Sequence, residues 1–185
     1  MTRTIKYSKE DILQKSVEFI KKYGYSKLTV RELANYIGCS TQPIFKNYVN
    51  FDMYKEDLNL YLRKDYSAFI NKYIDTKDYL YTISYAYAFY AKKEPKIFFS
   101  LFMTDFAGSR TIEEVLNTER NMKTIKAMIE QYRISLEEAE RVYREVRFYT
   151  HGIATQLCVN SIKLNDGEIK NLIKNNIEMN LRRNL

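Results

Sequence analysis

Residues 28–48 read LTVRELANYIGCSTQPIFKNY, and the fold turns on this stretch. Thr29 stands three positions before Glu32, the spacing by which a side chain caps the first backbone N–H groups of a helix, so VRELANYI is predicted helical and ends at Gly38. After Gly38 and Cys39, Ser40 is the expected cap of a second short helix, TQPIFKNY. Its Pro43 falls in the first turn, where a missing N–H breaks no intrahelical bond. Val30, Leu33, Ala34 and Ile37, then Ile44, Phe45 and Tyr48, form apolar stripes that only mutual burial can shield. Phe45 and Tyr48, at i and i+3, are expected to face the same packed side. Thr41, Gln42, Lys46 and Asn47 remain outside, a set able to donate to phosphates and read base edges.

Upstream, Ser8 and Asp11 have the spacing of a capping box, and Ile12, Leu13, Val17, Phe19 and Ile20 make a helical stripe that ends near Gly24. A helix of about residues 9–23 therefore frames the two short ones, which is the sequence form of a helix-turn-helix. Downstream, periodicity predicts helices at 52–74, 77–92, 95–105, 110–132, 136–162 and 166–183, with breaks at Glu94-Pro95, Gly108 and Asp166-Gly167. The expectation is an all-α chain of about nine helices, divided into residues 1–51 and residues 52–185.

Composition agrees with that division. Among 185 residues, 5 Gly and 2 Pro provide too few turns for a β-rich chain of this size. The net charge of +7 is unevenly placed: residues 1–55 hold 10 Lys and Arg against 5 Asp and Glu, leaving 20 against 18 in residues 56–185. An anionic partner is thus expected at the N-terminal quarter. Cys39 and Cys158 show no disulfide framework, and no metal-ligand spacing occurs. Cys39 reads as a small apolar turn residue. Neither a secretory signal nor a membrane span is readable, so a soluble, cytoplasmic protein without membrane association is expected. One histidine, no GxSxG and no phosphate-cradling glycine loop argue against an enzyme and against a bound cofactor.

The stretch ILQKSVEFIKKYGYSKLTVRELANYIGCSTQPIFKNYVNFDMYKEDL resembles the DNA-binding domain of TetR/AcrR-family transcriptional regulators, over about residues 8–58. Gly24-Tyr25, the run Leu28 to Ala34, Gly38 to Ser40, and the aromatics Phe45 and Tyr48 occur in the family's order and spacing. The resemblance implies that Thr29 and Arg31 approach phosphates. It puts Ser40, Thr41, Gln42, Pro43 and Lys46 in or beside the major groove of a double-stranded operator, with Phe45, Asn47 and Tyr48 in the same set. Three positions depart from the family: Phe45 stands where Tyr is usual, Asn47 where His is common, and Phe51 where a phosphate-binding Lys often opens the next helix. Lys55 is the candidate replacement for that last contact.

Ten of the 27 aromatics crowd into residues 79–106. They fit a ligand pocket between helices and, equally, an ordinary aromatic core. The resemblance favours the pocket, because the family's C-terminal domains usually bind a small-molecule inducer. Tyr66, Tyr85, Phe89, Phe99, Phe102, Phe106, Tyr132, Phe148 and His151 are its candidate lining, although His151 reads at least as well as a structural histidine. Along the last two helices, Val142, Val146, Ile153, Leu157 and Cys158, then Ile169, Leu172, Ile173, Ile177 and Leu181, form stripes that suit a core. The resemblance implies instead that they dock on a second copy as a homodimer. The expected function is a sequence-specific, homodimeric DNA-binding regulator, a repressor released by its effector. The alternative is a helical ligand-binding or protein-interaction module that has lost DNA reading, which Phe51 keeps open.

Overall fold

The computed structural model describes residues 7–104 and 109–182, and every regular element among them is helical. In chain order these are α1 (Lys9–Tyr23), α2 (Val30–Ile37), α3 (Gln42–Asn47), α4 (Phe51–Asn71), α5 (Tyr79–Lys93), α6 (Pro95–Phe102), α7 (Ile112–Leu116), α8 (Glu119–Tyr132), α9 (Leu136–Cys158) and α10 (Asp166–Arg182). Single 3₁₀ turns at Tyr25–Lys27 and Thr76–Asp78 precede α2 and α5. The helix expected over 110–132 is two helices. Thr118 is extended and heads α8, while the Asn121 amide donates to the Val115 carbonyl at 2.6 Å and closes α7. Short polar side chains that bond to nearby backbone favour such breaks over an uninterrupted helix.

The chain forms two compact units, one of residues 1–66 and 96–107, the other of residues 67–95 and 108–185. The backbone of α4 runs from the first into the second.

In the first unit α1 packs on α2 and α3. The Ser8 hydroxyl accepts from the Asp11 N–H at 3.1 Å, and the Asp11 carboxylate accepts from the Ser8 N–H at 2.9 Å, completing the expected capping box. Ile12, Phe19 and Ile20 of α1, Leu33 and Ala34 of α2, Ile44 of α3, and Tyr54, Leu58 and Leu62 of α4 are buried. One polar relay crosses this core: Tyr54 Oη donates to Ser16 Oγ at 2.7 Å, and Ser16 Oγ donates to the Ile12 carbonyl at 2.6 Å. Burial pushes the Tyr54 phenol above its ordinary range. Near the surface, Lys9 pairs with Asp57 at 3.3 Å and lies over the Tyr48 ring.

In the second unit α9 packs against α5, α8 and α10, and α5 against α8 and α10. Helix α5 has apolar residues on all sides, so it is buried nearly all round, with Ala86, Ala88 and Ala91 allowing close approach of its neighbours. Val142, Val146, Ile153 and Leu157 of α9 and Ile169, Ile173 and Ile177 of α10 belong to this unit's own core, with Leu172 and Leu181 packed against it. These stripes thus find apolar partners within the chain, as the core reading of them expects. Half-buried Cys158 donates its S–H to the Pro95 carbonyl.

Tyr54→Phe removes the first donor of the buried relay and leaves a Ser16 lone pair unmet. A loss of about 1 kcal/mol is expected in urea unfolding, and an unchanged midpoint would show that the relay contributes nothing to stability.

Candidate nucleic-acid interface

The turn between α2 and α3 is built on Gly38. Its φ of 80° and ψ of 34° are left-handed, a conformation that glycine adopts without a Cβ clash. The Gly38 N–H reaches the Asn35 carbonyl at 3.2 Å and the Cys39 N–H reaches the Ala34 carbonyl at 3.0 Å, the two reverse bonds of a Schellman ending. Thr29 opens α2 as expected, its hydroxyl accepting from the Glu32 N–H at 3.1 Å. Burial raises the Cys39 thiol, which keeps it protonated and inert in the turn.

At the start of α3 the expected cap is corrected. Thr41 rather than Ser40 occupies the capping position, and no side chain bonds the first N–H groups. Ser40, Gln42 and Lys46 are exposed, as are Thr29 and Arg31 at the start of α2; Thr41 and Pro43 are half-buried. Phe45 is 52% exposed, whereas Tyr48 is 2% exposed, so the expectation that both face the core holds only for Tyr48. The reason is local. Tyr48 is the C-cap, with φ −135° and ψ 126°, and helical i, i+3 geometry does not extend to it. Burial and the neighbouring Asp57 push the Tyr48 phenol up to about 12.

Asn47 also departs from expectation. Its amide donates to the Pro43 carbonyl at 2.8 Å and to the Tyr7 carbonyl at 3.1 Å, so it ties the segment before α1 to α3. Phe51 stacks on Tyr54 with centroids 5.1 Å apart, which places an apolar ring where a phosphate-binding cation was missing. Lys55 lies over that ring and pairs with Asp52 at 2.9 Å. Such an exposed i, i+3 pair is worth little, so the ammonium can be shared with a phosphate. A groove of about 450 Å³ along α1 and α2, lined by Phe19, Tyr23 and Tyr36 with Lys27 and Glu32, was not anticipated from the sequence.

The expected ligand-lining residues fall in both units. In the first unit Tyr66 and Phe102 meet edge to face at 5.1 Å, while Phe99 is 42% exposed. In the second, Tyr85 stacks on Phe89 at 5.5 Å, and the series continues through Tyr73 and Phe69. Tyr132 Oη donates to Asp78 at 3.5 Å. Phe148 is 62% exposed, which removes it from any enclosed lining. Phe106 lies outside the described residues. His151 Nδ1 and Tyr87 Oη are hydrogen-bonded at 2.9 Å. Tyr87, Tyr73 and Phe69 were not in the expected set, because helical periodicity alone does not say which of several apolar faces meet.

No family model matches the chain, and no curated protein matches it by sequence. Solved structures do. A TetR-like transcriptional regulator from Rhodococcus sp. RHA1 superposes with a TM-score of 0.68 at 10% identity, over 99% of each chain. A TetR transcriptional regulator from the same organism superposes with a TM-score of 0.52 at 12% identity, over 93% of this chain and 94% of that one. The chain therefore has the TetR-like all-α fold, with an N-terminal helix-turn-helix followed by a helical C-terminal part.

Burial, and then the Arg147 guanidinium, hold His151 below its ordinary value of 6.5. In the unfolded chain the imidazole takes up its proton near that value, so below it the unfolded state binds more protons and stability falls. Wild-type stability in urea is expected to drop as pH falls from 7 to 5, and His151→Asn to remove part of that drop; an identical pH slope in the variant would contradict it.

Proposed function

We propose that this chain is a cytoplasmic, sequence-specific DNA-binding transcriptional regulator that acts as a homodimer on a near-palindromic operator and represses until a small-molecule effector releases it. The observation that carries the reading is the outer face of α3. Gln42, Lys46 and Phe45 project from a helix whose opposite face is locked by Ile44 and by the Gly38 turn, and among the described residues no carboxylate pairs with the Lys46 ammonium. Arg31, Thr29 and Ser40 flank that face and suit phosphates, while Gln42 suits a base edge. The likeness to TetR-like regulators supports the same assignment.

Dimerisation supplies the second half-site, about one helical turn of DNA away. The outward side of α9 and α10 suits it better than the buried stripes do. Phe148, Tyr149, Val159 and Met179 are exposed there, and a Cβ added at Gly152 would meet nothing, so a second helix can come close. Effector control is a population shift: the ligand binds best to a conformation in which α4 has moved and the two α3 helices no longer match the half-site spacing.

Lys46→Ala and Gln42→Ala should each weaken binding to the protein's own upstream DNA in a band-shift assay. For Lys46→Ala the salt slope should also fall by about one unit. Salt-sensitive, sequence-selective binding that neither substitution changes would remove both residues from the interface, and its absence in the wild type would favour the module that has lost DNA reading. Phe148→Glu should convert a dimer to a monomer in sedimentation, and a dimer that persists would place the interface elsewhere.

A further inference from the structure

The second unit contains positive charge that its own side chains do not neutralise. Arg120 of α8 has a guanidinium nitrogen, Nη1, that is buried and has no hydrogen-bond partner. Arg147 of α9 stands one turn beyond the buried Tyr143; burial pushes that phenol up, and the positive charges of Arg147 and Arg120 pull it back down. Among the described residues, neither guanidinium forms an ion pair with a carboxylate. Tyr143, Arg147 and Thr150 follow at i, i+4 and i+7 and so share one face of α9, and Thr150 Oγ1 is likewise buried without a partner. On the adjoining turn His151, held by Tyr87, is close enough to Arg147 to feel its charge.

Burying a guanidinium donor unpaired is costly, and two cations about one phenol add mutual repulsion. Both costs vanish when an oxyanion lies between them, because the planar fork of arginine matches a carboxylate or a phosphate with two parallel hydrogen bonds. The orphaned Thr150 hydroxyl adds a neutral donor on the same face. We infer that Arg120 and Arg147 form the anion-holding pole of an effector site within the second unit, taking a small molecule that carries a carboxylate or phosphate group. The inference names the chemistry of the effector and rests on the regulator reading for its role, but its test does not depend on DNA.

The test is thermal unfolding of the full-length protein at constant ionic strength with benzoate, inorganic phosphate or benzamide. Benzoate or phosphate at a hundredfold excess over its Kd should raise Tm by about 5 °C or more. Benzoate alone identifies a carboxylate effector and phosphate alone a phosphorylated one, while benzamide, which has the ring without the charge, should leave Tm unchanged. Arg120→Gln and Arg147→Gln should each abolish the rise, and Arg144→Gln, on the exposed side of α9, should retain it. Without anion, Arg120→Gln should unfold no earlier than wild type, because it removes an unpaired buried charge. No rise with either anion, an equal rise with benzamide, or a rise that survives both Arg120→Gln and Arg147→Gln would overturn the site. A band shift of the wild type separates the two readings: selective DNA binding without anion stabilisation sinks only the effector site, and anion stabilisation without DNA binding sinks only the regulator.

Discussion

Helices of eight and six residues do not persist alone in water, since nucleation outweighs so few hydrogen bonds. That α2 and α3 exist at all depends on burying Leu33, Ala34 and Ile44 together with Ile12 and Ile20 of α1. Burial in turn needs the chain to reverse sharply between the two stripes, and Gly38 in the left-handed region allows it. Once those conditions are met, the outer face of α3 has no freedom left. Gln42, Phe45 and Lys46 must project to solvent because the other side is occupied. The same packing draws Tyr48 inward at the cap and engages Asn47 with the Tyr7 and Pro43 carbonyls. The exposed face of α3 is thus a by-product of core geometry, narrower than a count of polar residues on α3 suggests.

The second unit solves a different problem. Its central helix, α5, has apolar residues on all sides, and α8, α9 and α10 pack against it. The long stripes of α9 and α10 are absorbed in that task. What they leave outside is a smaller set of exposed apolar side chains, Phe148, Tyr149 and Met179. Polar groups drawn into this unit are mostly satisfied locally, as Thr124 is by the Arg120 carbonyl and Thr155 by the His151 carbonyl. Against that background the unpaired nitrogen of Arg120 stands out as chemistry that packing does not explain.

The two units also divide the electrostatics. The first 55 residues carry 10 basic against 5 acidic side chains, and of the basic ones Lys9, Lys21, Lys22, Lys27, Arg31 and Lys46 are exposed. In the remainder the balance is nearly even, 20 against 18, and among the described residues neither Arg120 nor Arg147 forms an ion pair.

Much of the fold was legible because helices are local. Capping at Ser8 and Thr29, the stop at Gly38 and the apolar periodicity of each long helix are written within a few residues of where they act, and the structure has them there. Errors arose where an outcome depended on distant neighbours. Phe45 and Tyr48 have equivalent helical spacing, yet one is in water and the other in the core, since the end of α3 was not visible in the pattern. The α9 and α10 stripes suit a core by their spacing and an interface only by the resemblance, and it is α5 that packs beside them. The segment 110–132 read as one helix because the hydrogen bond from Asn121 to the Val115 carbonyl leaves no trace in periodicity. By itself the sequence determined the helical class, the helix-turn-helix and the placement of basic charge, all products of short-range spacing. Only the tertiary structure decided which apolar faces were consumed, which side chains of α3 stayed free, and that two arginines 27 positions apart act on one phenol, because these depend on packing between helices remote in sequence.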